Sequence, residues 1–490
     1  MTSVGPLLVT FFFYFMVMLF VGLKAYRNTV NLDDYILGGR KLHPLLVALS
    51  VGASDMSGWL LLGLPGAIYL SGLSEIWIGV GLFFGAYCNW RFISKRLRVY
   101  SETANNSLTL PDFFENRFND STRSLRIISA TVILLFFTFY TASGLVGGAI
   151  LFESSFGFSY ITALIIGAFF IVAYTFIGGF IAVVWTDAIQ SLLMLLALIA
   201  VPVAVVSSTG GGSEFIHQVE LVKPGAMNAF SNLSLAAFIS LLGWGFGYFG
   251  QPHILTRFMS VKHPGKLLNA KRVAMLWMAI VLLGSVYSGL AGIVYFTDSP
   301  LSNPETVFIA LNQSLFNPWI AGIITAAILS AIMSTVDSQL LVSSSVISED
   351  FYRVFVRPDA TDKELLLVSR LAVMVIAIVA LFIASDREAR VLDLVSYAWA
   401  GFGAAFGPVI IFSLFLRYMT GLAAMLGMLS GSVTVVVWAN LTGGLFDLYE
   451  IVPGFIVGSI VVLGVSKANP QTSKSVLAQF DESMRIANRL

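Results

Sequence analysis

Charge is what this sequence has least of: Asp, Glu, Lys and Arg together make up 11% of its 490 residues, against about a quarter in soluble proteins. That scarcity excludes an ordinary water-soluble globular chain. The single cysteine, Cys88, excludes an internal disulfide framework and leaves redox chemistry no foothold. A net charge of +1 gives no reason to expect nucleic acid or another strongly charged partner. The first apolar run has neither a basic leader nor a small-residue cleavage site, so it reads as a retained span rather than a signal peptide. What remains is 57% hydrophobic, in runs long enough to cross a bilayer, which predicts an all-α polytopic membrane protein whose partner is the lipid bilayer itself.

Windows of about 20 apolar residues predict thirteen spans, near 5–23, 42–72, 74–93, 125–152, 158–178, 180–207, 233–256, 270–297, 318–348, 365–385, 391–416, 420–441 and 449–466. An odd number puts the termini on opposite sides. If the N-terminus is outside, all of the 28 Lys and Arg residues except Lys223, Arg387 and Arg390 fall in inside segments. The positive-inside rule therefore puts the N-terminus outside and the 467–490 tail in the cytoplasm. The longest outside loop, 208–232, reads as a flexible connector, and the inside segment 99–124 as the place for a short surface helix.

The second span carries Leu49-Ser50-Val51-Gly52-Ala53-Ser54-Asp55-Met56-Ser57-Gly58-Trp59-Leu60 at mid-depth. A carboxylate there costs about 2.5–3.5 kcal/mol on insertion scales and faces a cavity or a partner rather than lipid. The glycines weaken helix propagation and the serines compete for backbone hydrogen bonds, so the helix is expected to break here. Such a break survives in a membrane only where it is buried in protein or lines a polar cavity. The carbonyls of Ala53 and Met56 are then free to coordinate a hard cation, and the amides from Ser57 onward to receive an anionic group. A serine-stabilised kink with Asp55 capping the second half is compatible with both roles.

In the ninth span, the Ala331 carbonyl and the Ser334 and Thr335 hydroxyls recur at i, i+3 and i+4, which turns three oxygens to one side of a helix at the depth of Asp55. Oxygen-only ligands suit a hard cation and suit transition metals poorly. Trp59, Tyr140, Trp244 and Tyr248 also fall near the midplane, although tryptophan and tyrosine ordinarily collect at the interfaces. Beside glycines that let the backbone bend, they read as walls of a small-molecule pocket or as packing in a Phe-rich bundle. Asp187, Asp337 and Ser338 lie closer to the cytoplasmic end, as an ion exit path, a second cation site, or an acid paired with a basic residue.

The segments "SVGASDMSGWLLLGLPGA", "TFIGGFIAVVWTD", "LLGWGFGYFGQPHILTRFM", "SAIMST" and "LVSYAWAGFGAAFGP" closely resemble the sodium:solute symporter family, and within it the proline-transporting branch, over nearly the whole chain. The resemblance implies a leucine-transporter-type fold with an inverted repeat of five plus five helices, residues 42–207 and 233–416, flanked by peripheral helices at 5–23 and 420–466. It implies sodium, as co-transported ion, on the carbonyls of Ala53, Met56 and Ala331 and the hydroxyls of Ser334 and Thr335. Asp55 resembles the acid that sodium-dependent binding requires in the proline branch. The implied substrate pocket uses Trp59, Tyr140, Trp244 and Tyr248, with Ser57, Gly58 and Gln251 for the charged ends of an amino acid. Some relatives hold a second sodium at positions matching Asp187, Ser334, Asp337 and Ser338, but here an aspartate stands where they have serine.

The expected function is thus L-proline import by sodium symport through alternating access, in the multi-pass manner of a bacterial inner-membrane protein and without catalysis. A sodium- or proton-coupled symporter of another small organic solute is the nearest rival. A passive channel would lack saturable coupling. An intramembrane aspartyl protease would need Asp187 and Asp337 to share a proton, and its usual Gly-x-Gly-Asp motif is absent.

Overall fold

The computed structural model describes residues 4–26, 31–177, 179–471 and 473–490. Among the described residues nearly all structure is helical, and the one extended contact is an isolated bridge between Leu42 and Val261. With no water in the hydrocarbon to satisfy a bare backbone, a chain this apolar closes its hydrogen bonds within helices. Among the described residues ten helices are long and apolar enough to cross a membrane, and the pair Pro44–Asp55 and Trp59–Ser71, bent by 57° at its break, makes an eleventh. Two further expected spans fall short for different reasons. Tyr160–Ile177 has a described apolar stretch of only Tyr160–Ala173. The 233–256 region is interrupted, as helix Leu235–Gly243, 3-10 turn Trp244–Phe249 and helix Pro252–Met259.

Polar side chains start several helices where these leave the apolar layer. Asn317 accepts from the amides of Trp319 and Ile320, Thr361 from Glu364, and Thr420 from Ala423, satisfying amides that have no partner within their helices. The inside helix expected within 99–124 is Leu110–Phe118, capped by the Thr109 hydroxyl on the Asp112 amide. The outside loop 208–232 departs from its reading as a flexible connector: Gly212–Val222 is helical. Phe215 and Val219, one turn apart, are both buried, and Phe215 stacks on Tyr287 with 6.2 Å between ring centroids, so an apolar stripe anchors a segment whose glycines alone suggest a tether.

Helix Pro318–Ser345 is the hub. It packs against Val4–Tyr26, Ser124–Phe156 and Phe180–Ser208, which shields its polar run Ser334, Thr335, Asp337, Ser338 and Gln339 from lipid; all five are buried. Val4–Tyr26 shows Phe12, Phe13 and Phe20 outward, while Tyr14 points inward and accepts from Gln190 Nε2 at 2.9 Å.

The terminal helix Lys474–Arg489 lies against Ser94–Thr103. Its Phe480 ring sits 6.1 Å from Tyr100 and 5.2 Å from the Arg117 guanidinium, and Arg417 donates to both Asp481 oxygens at 2.7 Å. Those bonds hold the Asp481 carboxyl below the ordinary carboxylate range, so this tie is present at neutral pH and fades as pH falls through the depressed value. Phe480→Ala removes about 2 kcal/mol of buried apolar and cation–π contact. Amide exchange across 474–489 is expected to accelerate at least about tenfold while that of Pro318–Ser345 is unchanged.

Candidate functional site

The break in the second span begins where helix Pro44–Asp55 stops at Met56, whose ψ of 68° leaves the helical range. The Ser57 amide turns back to the Asp55 carbonyl at 3.0 Å instead of reaching Ala53. The Ala53 carbonyl thereby stands available, and it accepts from the Ser334 hydroxyl of the ninth span at 2.8 Å. Ser334 Oγ lies 3.1 Å from the Ala331 carbonyl and Thr335 Oγ1 3.3 Å from the same oxygen. Two carbonyls and two hydroxyls from two spans therefore meet at one buried point. The donor set is oxygen only, with no imidazole or thiolate, and fits a hard monovalent or divalent cation.

Asp55 is buried, and its carboxylate reaches the seventh span, where Tyr248 donates its hydroxyl to Asp55 Oδ2. Asp55 Oδ1 takes no hydrogen bond. Such an oxygen, buried in a membrane protein, calls for a cation or a donor from a bound molecule. Met56 is fully buried at the stop itself.

The aromatic residues of the second and seventh spans meet. Trp59 and Trp244 have ring centroids 6.2 Å apart, and Trp244 lies 5.3 Å from Tyr449. Tyr248 meets Trp399 edge to face at 5.2 Å, and Trp399 Nε1 donates to the Trp244 carbonyl at 2.7 Å. That indole passes so close to the seventh span that a Cβ at Gly247 would collide with it, so glycine is required there. Trp59 Nε1 donates to the Asp55 carbonyl at 3.3 Å, and the Trp59 amide donates to Ser57 Oγ at 3.4 Å. Gly58 packs on Ile332 of the ninth span. Gln251 donates to the carbonyls of Gly247 and Trp399 at 3.2 and 3.3 Å, while its Oε1 takes no hydrogen bond. Tyr140, from the fourth span, packs edge-on against His253 at 6.0 Å. The result is an apolar cage with a few fixed polar atoms, the composition of a small-solute pocket.

Asp187 is paired with a base. Arg257 Nη2 donates to Asp187 Oδ2 at 2.8 Å and to Ser338 Oγ at 2.6 Å. Asp337 is fully buried on the same helix as Ser338. Arg257, Ser50, Trp399 and His253 are site neighbours that sequence reasoning missed. Arg257 closes an otherwise apolar run just before Lys262 and Lys266, where it reads as one more inside charge; its distance from them by a full helical turn is the signal available.

The family model described as the sodium:solute symporter family matches residues 35–431. The sodium/proline symporter of Escherichia coli (strain K12) is 53% identical, over 98% of this chain and 96% of its own. The high-affinity proline transporter PutP of Bacillus subtilis (strain 168) is 49% identical over 95% and 98%, and the osmoregulated proline transporter OpuE of the same organism 44% over 97% and 97%. Among solved structures, a sodium-coupled sialic acid symporter in a substrate-bound outward-open state superposes with a TM-score of 0.80 at 20% identity, over 95% of this chain and 99% of that one. A nucleobase-cation-symport-1 family transporter in a closed conformation gives 0.56 at 15% identity, over 92% and 99%. Both likenesses concern the fold.

Gly247→Ala forces the Trp399 indole or the seventh-span backbone to move, an overpacking cost of about 1–3 kcal/mol. The melting temperature of the detergent-solubilised protein is expected to fall by several degrees, and Trp399→Phe in the same chain to recover part of that loss.

Proposed function

The chain belongs to the sodium:solute symporter family, and from that premise we propose that it imports L-proline by sodium symport. Its family is one of transporters, so the protease reading of Asp187 and Asp337 falls. The observation that carries the proposal is the contact of the Ala53 carbonyl with the Ser334 hydroxyl at 2.8 Å, an oxygen cluster built across two spans directly beside an aromatic cage. Relatives about half identical over nearly their full lengths are named for proline, and that of Escherichia coli for sodium as well, which supports both the ion and the solute.

In this reading sodium is a co-substrate. It takes the carbonyls of Ala53, Met56 and Ala331 and the hydroxyls of Ser334 and Thr335, and so fixes the second span against the ninth. Asp55 compensates the ion's charge and, through Tyr248, aligns the seventh span. The proline ring lies among Trp59, Tyr140, Trp244 and Tyr248. With the Ser57 amide taken by the Asp55 carbonyl, its carboxylate meets the Ser57 hydroxyl and the Gly58 amide at the break, and its secondary ammonium has the Gln251 Oε1 acceptor. With the short helix Tyr160–Ile177 and the interrupted 233–256 region counted as spans beside the eleven, the N-terminus is outside, and residues 42–207 and 233–416 form the two inverted repeats, each opening on a broken helix. Rocking of one helix group against the other exposes the pocket to either side of the inner membrane. Each sodium contributes about 2.3 kcal/mol per 100 mV, besides its concentration gradient.

Labelled L-proline is expected to enter proteoliposomes under an inward sodium gradient and not under an equal potassium or proton gradient. Asp55→Asn, which keeps the shape and removes the charge, is expected to abolish that uptake. Ser334→Ala removes one contact to a charged ligand, about 1.5–3 kcal/mol, and should raise the sodium concentration for half-maximal uptake at least about tenfold while leaving the proline KM at saturating sodium little changed. Equal uptake driven by protons would move the assignment to the proton-coupled rival.

A further inference from the structure

The thirteenth span lies outside both repeats, yet it reaches the aromatic cage. Tyr449 precedes helix Ile451–Ala468 and sets its ring 5.3 Å from that of Trp244, tilted by 32°. Trp244 in turn lies 6.2 Å from Trp59, so ring contacts lead from the broken second span through the seventh to the thirteenth. On the topology above, Tyr449 stands at the outer end of its span, beside the outer halves of the seventh and eleventh.

Every polar group of Tyr449 is engaged. Its amide donates to Ser240 Oγ of the seventh span at 3.0 Å, its carbonyl accepts from the Val452 amide at 2.9 Å, and its hydroxyl donates to the Ser396 carbonyl of the eleventh span at 2.6 Å. The residue before it is pinned as well, since Trp438 Nε1 donates to the Leu448 carbonyl at 3.0 Å. Packing closes the remaining freedom. A Cβ at Gly243 would meet Val452 Cγ2 at 2.6 Å, and one at Gly403 would meet Ile451 Cδ1 at 2.6 Å, so the start of the thirteenth span is pressed against the seventh and eleventh together. Rings at such separations attract beyond their buried area. The Trp244 indole is thereby held by rings from two other spans, while its carbonyl is held by Trp399. A binding group is only as well placed as the side chains that lock it.

We propose that Tyr449 is a positioning residue of the solute site: it holds the Trp244 indole in place for the solute ring and ties the seventh span to the eleventh on the outer side of the cage. This rests on the proline-symport reading above. Its action on the solute runs through Trp244. The oxygens of the sodium cluster come from the second and ninth spans, whereas the bonds of Tyr449 to the repeats run to the seventh and eleventh, so solute affinity depends on this residue and sodium affinity does not. The thirteenth span, peripheral to the repeats, is in this way part of the solute site.

The test is uptake of labelled L-proline into proteoliposomes containing the full chain. At saturating sodium, Tyr449→Ala is expected to raise the proline KM at least about tenfold with the maximal rate per folded transporter within about twofold of wild type, the pattern of lost binding to the solute. The sodium concentration for half-maximal uptake at saturating proline should stay as in the wild type. Tyr449→Phe keeps the ring on Trp244 and is expected to recover most of the KM. Because neighbours that act through one another are not additive, the KM penalty of Tyr449→Ala should shrink to less than about threefold when Trp244→Phe is already present. A wild-type KM in Tyr449→Ala, a lowered maximal rate at unchanged KM, or an equal penalty with and without Trp244→Phe overturns the proposal. Should Tyr449→Ala not fold, Tyr449→Leu, which keeps apolar bulk without a ring, is read in the same way. Wild-type protein that carries no L-proline under a sodium gradient strikes the transport reading itself, whereas wild-type uptake beside an unmoved KM in the variant strikes only the role of Tyr449.

Discussion

A helix that breaks inside a membrane must find partners for the backbone groups it frees, and the rest of this structure follows from how the second span does so. Its first half ends at Met56, the Ser57 amide folds back onto Asp55, and the Ala53 carbonyl is given to Ser334 of the ninth span. In hydrocarbon each unsatisfied group costs several kcal/mol, so that one contact ties two distant spans together. A donor that satisfies the break can be shared with or replaced by a cation, because carbonyl and hydroxyl oxygens are also good ligands for a hard ion. The same atoms that make the break tolerable make it chemically useful.

The aromatic cluster is held by what grows outward from the break. Asp55 accepts from Tyr248, Tyr248 leans on Trp399, and the Trp399 indole is pinned to the Trp244 carbonyl. Trp244 faces Trp59, which donates back to the Asp55 carbonyl. That closed circuit joins the second, seventh and eleventh spans through direct contacts that start at Asp55, two residues from the Ala53 carbonyl. On the other side, Ser338 and Arg257 link the ninth span to the sixth and seventh. The Ser334 contact with the Ala53 carbonyl and the Ser338–Arg257 bond therefore share the helix Pro318–Ser345, which the surrounding helices keep away from lipid.

Local chemistry was readable where it violates the expectations of a membrane helix. Gly52, Ser54, Asp55, Ser57 and Gly58 at mid-depth announce a break, and the helix does stop at Met56 with a 57° bend. Ser334 and Thr335 announce a polar face by their spacing, and depth counting put them level with Asp55. Other features depend on tertiary neighbours that no local pattern encodes. Arg257 reads as an inside charge because basic residues follow it, and only the fold shows Asp187 and Ser50 closing around it. Trp399 is one aromatic in a Phe-rich chain until the glycine at 247 gives its indole a place. The helix Gly212–Val222 was hidden behind Gly210-Gly211-Gly212, since two buried side chains one turn apart are too weak a periodicity to read in a short loop.

The central claim is that sodium and the proposed substrate, L-proline, bind adjoining sites built from one broken helix and therefore couple thermodynamically. The most direct measurement is a pair of equilibrium titrations on the purified protein, L-proline at a series of sodium concentrations and sodium at a series of proline concentrations, followed by intrinsic tryptophan fluorescence. The account predicts that each ligand tightens the other by the same factor, as linkage requires, and that potassium does not substitute for sodium. A proline affinity indifferent to sodium, or one tightened equally by potassium, would contradict it.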